Sequence, residues 1–205
     1  MGDVARSNRW FGGAHAVLAE IDDLLDGSTS TLTLVDVGTG LGDIPARVRT
    51  RAARSGVRVS TVGLDMSAPL ALAARDTELP MMRADARRLP IADCAFDVVI
   101  CSQLLHHFPG DDGIRLVREL DRVASRRVIV SDIRRSWLAA AGIWLASWPL
   151  RFHPVSRHDG VVSVLRGFTS EELRSVVHAA VGVVPRVRRH RGFRVAASWA
   201  PSRPS

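Results

Sequence analysis

Between residues 13 and 25, Ala14, Val17, Leu18, Ile21, Leu24 and Leu25 recur at the spacing that lines one face of a helix. Gly27 to Ser30 interrupts the pattern, and Thr31 to Val37 follows as a run that is continuously apolar at its centre. Such a run predicts a strand covered on both faces. Asp43 to Arg54 reads as a second helix, stopped by Gly56, and Val57 to Leu64 alternates as a second strand. Ser67 is placed to cap an Ala-rich helix through Arg75, and a short strand is expected at Leu79 to Arg83. Phe96 to Ser102 is the next buried strand, followed by a helix from Asp112 to Val123 and a strand from Arg127 to Ser131. This alternation predicts βαβ crossovers and a mostly parallel sheet.

Beyond residue 135 the pattern changes. Ser136 to Leu150 is helical in spacing and unusually apolar, and an irregular stretch with Pro149, Pro154 and Gly160 follows. Thr169 and Glu172 have the spacing of a capping box for a helix to Ala180. Val183 to Arg189 and Phe193 to Trp199, joined by His190-Arg191-Gly192, predict a closing hairpin.

Composition narrows the class only slightly. A chain of 205 residues, 46% apolar and 24% charged, is expected to form one globular domain. No apolar run is long enough to span a bilayer, and Met1 to Trp10 lacks a signal-peptide core. Cys94 and Cys101 form no metal or disulfide spacing, so both are expected to be buried, inert thiols of a reducing cytoplasm. The net charge of +7 raises nucleic acid or an anionic surface as partners, but all 28 basic residues are Arg and they are scattered. That points to coding bias, so nucleic acid is not the expected partner.

The chemistry concentrates at Asp36-Val37-Gly38-Thr39-Gly40-Leu41-Gly42, between the first strand and the second helix. Glycines there permit a tight turn and close approach of backbone to a ligand. The spacing is GxGxG, not the dinucleotide GxGxxG, and an acid stands two positions before the first glycine. A carboxylate at that strand end would repel a pyrophosphate and suit a ligand carrying an ammonium group.

These residues resemble the first motif of the class I S-adenosylmethionine (SAM) dependent methyltransferases, acid-x-G-x-G-x-G, at every defined position. Asp65 in VGLDMS and the stretch ADARRLPIADCAFDVVIC, residues 84 to 101, are similar to the family's second and third regions. The resemblance implies a Rossmann-like α/β sandwich, with helices on both faces of a seven-stranded, mostly parallel sheet whose last strand is antiparallel. It implies SAM as cofactor, with Asp36, Gly38, Thr39, Gly40, Gly42, Met66 and Ser102 around it. Asp65 would meet the ribose hydroxyls, Asp85 the adenine amino group and Ala86 the adenine ring through its N–H.

Ser102 to Phe108, SQLLHHF, also resembles the family's small-molecule (type 11) members, and no [DN]PP[YFW] motif of base-amine enzymes is present. The family's Leu-Lys-Pro-Gly-Gly loop is replaced by VASRRV, which should shorten a surface turn. On this reading residues 1–205 form one domain, with a helical cap at 1–30 and a substrate insertion at 134–168. His106, His107 and His158 are candidate bases, while His178 and His190 look like surface positions. Trp10, Phe11, His15, Trp137, Trp144, Trp148 and His153 are candidate substrate contacts. Indoles in such a lid favour a flat or apolar acceptor, O-methylation before C-methylation. Ordinary core, a dimer interface or peripheral membrane contact remain open for residues 136–152, as do an RNA substrate, a non-methylating cyclase role, and a monomer or homodimer.

Overall fold

A computed structural model describes residues 13–25, 30–67, 79–137, 162 and 164–202. The elements are α1 (Gly13–Leu25), β1 (Thr31–Val37), α2 (Asp43–Arg54), β2 (Arg58–Asp65), β3 (Met81–Arg83), β4 (Phe96–Ser102), α3 (Asp111–Val123), β5 (Ala124–Ile133), α4 (Ser170–Val181), β6 (Arg186–His190) and β7 (Arg194–Trp199). A short 3₁₀ turn, Leu105–His107, follows β4.

The strands form one sheet in the order β3-β2-β1-β4-β5-β7-β6. The pairs from β3 to β5 are parallel, and β7 runs antiparallel to both β5 and β6. This is the Rossmann-like order, with an antiparallel last strand, that the resemblance implies. Alternation within the strands fills both faces. Leu34, Val98, Ile100 and Ile129 pack with α1 and α2, while Val35, Val99, Cys101 and Val130 pack with α3 and α4. Each fully buried side chain of this size contributes about 1.5–3 kcal/mol.

Several boundaries differ from expectation. No turn separates α3 from β5, because VASRRV offers no Gly or Pro to break the chain, so the strand begins at Ala124 and is longer than expected. β6 begins at Arg186, since Pro185 has no N–H to donate. β3 is only three residues long. The α4 capping box forms as expected: Glu172 N donates to Thr169 Oγ1 at 3.1 Å and Thr169 N to Glu172 Oε2 at 2.8 Å.

Two side-chain expectations are corrected. Cys94 is exposed in the turn before β4 and only Cys101 is buried. His190 is not a surface residue: its Nε2 lies 3.2 Å from the buried Glu20 carboxylate, which also accepts from Ser198 Oγ at 2.8 Å. His178 is exposed, as expected. The Ala-rich helix at 68–75, most of the apolar segment at 138–150 and the cap residues 1–12 lie outside the described residues.

Candidate functional site

Strand order reverses between β1 and β4, and the crevice beyond the carboxyl ends of such neighbours is where open α/β sheets bind ligands. The local sequence builds a turn there. Gly38 has φ +77, and a Cβ on it would come within 2.8 Å of the Leu104 side chain. Gly40 has φ +57 and faces open space. Only glycine meets both conditions without strain.

The turn spends its amides internally. Gly38 N and Thr39 N donate to Leu64 O at 2.7 and 3.0 Å, Gly42 N donates to Thr39 O, and Gly40 N donates to Asp65 Oδ2 at 3.0 Å. These four amides are therefore not available to a phosphate. Asp65 Oδ1 accepts from Ser67 N at 2.8 Å. Each Asp65 oxygen therefore accepts one backbone bond and keeps capacity for another.

Beneath the turn, four side-chain oxygens are buried without a hydrogen-bond partner: both of Asp36, Thr39 Oγ1 and Ser102 Oγ. Asp36 and Ser102 stand on adjacent strands, with Val37 paired to Cys101. Burial pushes the Asp36 carboxyl up to about 7, with Asp43 and Asp65 adding to the rise and Thr39, outside hydrogen-bond geometry, opposing it. Buried polar groups are normally satisfied, and orphaned acceptors in a crevice call for a donor from a ligand. An ammonium group with neighbouring hydroxyls would supply what this set lacks, and the residues fit the polar end of SAM.

Asp85 is differently committed. Arg87 donates to it from its backbone N at 2.9 Å and from its guanidinium at 2.8 Å, and the guanidinium also holds Asp112 at 3.1 Å. These bonds to Arg87 hold the Asp85 carboxyl below its ordinary range. Ala86 beside it is buried, whereas Met66 is 63% exposed. An adenine amino group would have to share Asp85 with Arg87.

The second cluster lies past β4. His106 Nδ1 donates to Asp132 Oδ1 at 2.7 Å, and His106 N donates to Asp132 Oδ2 at 3.0 Å. The His106 and Asp132 side chains are 4% and 0% exposed, with Ile133 N also donating to Asp132 Oδ1. Because a carboxylate only accepts, the proton sits on Nδ1 and Nε2 is left as the basic nitrogen. The buried guanidinium of Arg194 is lowered to about 10 by desolvation, against the opposing charge of Asp132.

The His107 ring stacks 4.0 Å from that of His106. Partial burial, then the charge of His106, holds His107 below its ordinary pKa; Asp132 opposes this and Arg166 adds to it. Both histidines line a cleft of about 650 Å³ between the 3₁₀ turn, the head of α3 and α4, with Phe108, Ile114, Phe168 and Val176 on its walls. Among the described residues no cluster of His, Cys, Asp and Glu could hold a metal.

Asp132 and Gln103 were not among the site residues expected from the sequence. Asp132 lies inside an ordinary apolar strand, and only the sheet brings it against His106. Gln103 follows β4 at φ +56, a strained conformation for a residue with a side chain, and donates its N–H to Ser131 O at 2.8 Å. His15 is exposed on α1 and Trp137 is 76% exposed at the end of the described segment, so neither lines the cleft. Trp10, Phe11, Trp144, Trp148, His153 and His158 lie outside the described residues.

Comparison with known proteins agrees with this geometry. Residues 35–130 match the family described as a methyltransferase domain. A curated relative, the probable tRNA methyltransferase 9B of Bos taurus, is 32% identical over 91 residues, 44% of this chain and 18% of that protein. The chain thus spans less than a fifth of the curated relatives it matches. Among solved structures, a SAM-dependent methyltransferase from Aquifex aeolicus superposes with TM-score 0.63 at 14% identity, covering 89% of this chain and 88% of that one. Magnesium protoporphyrin IX methyltransferase from Synechocystis, solved with SAH bound, gives TM-score 0.63 at 18% identity over 97% and 87%.

Proposed function

We propose that this chain, whose residues 35–130 match the methyltransferase-domain family, is a class I SAM-dependent methyltransferase that binds SAM and transfers its methyl group to a small apolar or aromatic acceptor, a hydroxyl before a carbon. The observation that carries the cofactor reading is the set of orphaned oxygens on Asp36, Thr39 and Ser102 beneath a turn that spends the Gly38, Thr39, Gly40 and Gly42 amides internally. Bound there, SAM supplies a sulfonium-activated methyl group.

The protein's part is then mainly positioning, which can contribute on the order of 7–11 kcal/mol. Asp36 and Ser102 anchor the amino-acid end, and the spare acceptor capacity of Asp65 suits a vicinal diol. Ala86 and Asp85 border the base. An acceptor hydroxyl also has to lose a proton, for which a base adds about 10²–10⁴-fold. His106 suits that role, since Asp132 fixes its tautomer and leaves Nε2 toward the cleft. His107 and His158 remain the other candidates.

The test is calorimetry with SAH, followed by methyl-labelled SAM and a panel of phenols, quinols and polyketide-like acceptors. Asp65→Ala should weaken SAH binding about tenfold or more, and His106→Gln should bind SAH normally yet lose transfer to the hydroxyl. A wild-type chain that binds no SAH ends the reading. Label that never reaches any acceptor favours a cyclase or binding role on the same fold. A tRNA substrate is the second reading, favoured by the net charge of +7 and the likeness to tRNA methyltransferases.

A further inference from the structure

The cleft beside His106 has an electrostatic character that its apolar walls conceal. Of its described lining residues, Arg166 is the one formal charge and none is a carboxylate. The neighbouring arginines are matched: Arg135 holds Glu172 at 3.0 Å, Arg174 holds Glu171 at 3.3 Å, and Arg87 holds both Asp85 and Asp112. Arg166 has no acidic partner among the described residues.

Its placement is fixed by the sheet. Phe168 N donates to Ile133 O at 2.9 Å and Arg135 N to Phe168 O at 3.1 Å, which ties residues 166–168 to the exit of β5 beside the His106–Asp132 pair. A Cβ on Gly167 would lie 2.4 Å from Ile133 O, so this approach is as close as a backbone allows. Arg166 therefore lines the cleft from a tethered segment. The two imidazoles of the lining add hydrogen-bonding nitrogens and no negative charge.

We propose that the cleft selects an apolar, flat acceptor bearing an anionic group such as a carboxylate, which Arg166 pairs while Phe108, Phe168, Ile114 and Val176 take the rest of the molecule. The inference rests on the methyltransferase reading and specifies its acceptor class. Arg166 is exposed at the edge of the mostly apolar cleft. A guanidinium there favours a carboxylate through charge-assisted, bidentate hydrogen bonding, and the same site gives a neutral isostere less. Arg166 and His107 line the same cleft, and the guanidinium charge adds to the lowering of the His107 pKa.

The experiment uses the full chain and three probes of matched shape: 2-naphthoate, 2-naphthamide and 2-naphthol. Each is titrated by calorimetry with and without saturating SAH. Naphthoate should bind about tenfold or more tightly than naphthamide, and Arg166→Gln should remove that preference. An unchanged SAH affinity of the variant checks that the chain is still folded. Equal binding of naphthoate and naphthamide, a preference that survives Arg166→Gln, or no binding of naphthoate at millimolar concentration overturns the proposal. If SAH binds and the preference is missing, only the acceptor class fails. If the preference is present and SAH does not bind, the cofactor reading fails and the anion site stands.

Discussion

Asp36 places two demands on one carboxylate. Folding buries it without a partner and pushes its pKa up to about 7, whereas the unfolded chain ionises it near its ordinary value of 3.8. The unfolded state therefore gives up its proton first, and stability from this group declines as pH rises from about 4 to about 7 and is level above. The total is on the order of 4 kcal/mol. Asp36→Asn, nearly the same shape without the charge, should raise Tm at pH 8, and the gain should vanish as pH approaches 4. The same substitution should weaken SAH binding about tenfold or more, since a charged acceptor for the ammonium is lost. Thermal unfolding across that pH range, paired with SAH calorimetry, checks both signs. A variant less stable at pH 8, or one with undiminished SAH affinity, contradicts this account. Stability and ligand binding oppose each other here, as expected where a site holds a group that folding alone would not keep.

At the scale of elements, α1 shows how a buried charge can specify a docking position. Glu20 is 2% exposed, accepts from Ser198 on β7 and faces His190 on β6, while Arg188 lies 3.8 Å away. Apolar neighbours such as Val17 and Ile21 would allow the helix to slide, but Glu20 has partners in one register only. Glu20→Ala should cost about 2–3 kcal/mol by leaving those donors unmet, and hydrogen exchange should quicken across residues 13–25 before the rest of the sheet. Uniform exchange, or an unchanged Tm, removes the specifying role. The helix itself was legible in the sequence from its apolar spacing, and β1, α2 and β4 have the expected bounds because each is an unbroken local pattern. The Gly-rich turn was legible for the same reason. Glu20 with His190, His106 with Asp132, and Arg166 lining its cleft were not, because each joins positions far apart in the chain through the sheet. Local periodicity carries no information about such pairs.

For the molecule as a whole, the charge of +7 separates two kinds of partner. Much of the arginine is already spent on acids, as in the pairs Arg51–Asp22, Arg122–Glu119 and Arg186–Asp23. A bare excess of this size still attracts any polyanion at low salt, because displaced counterions drive the association. Such binding is indifferent to sequence and shape, and it weakens steeply as salt rises. A built RNA surface would keep a preference for its target after that attraction is screened. Fluorescence anisotropy with tRNA and with poly(U) should therefore give near-equal affinities at about 50 mM salt, and both should be lost together at about 200 mM. A tRNA preference that persists at the higher salt would move the acceptor from a small apolar acid to RNA. The crevice under the Gly-rich turn would keep its role in either case, since Asp36, Thr39 and Ser102 need a donor whatever receives the methyl group.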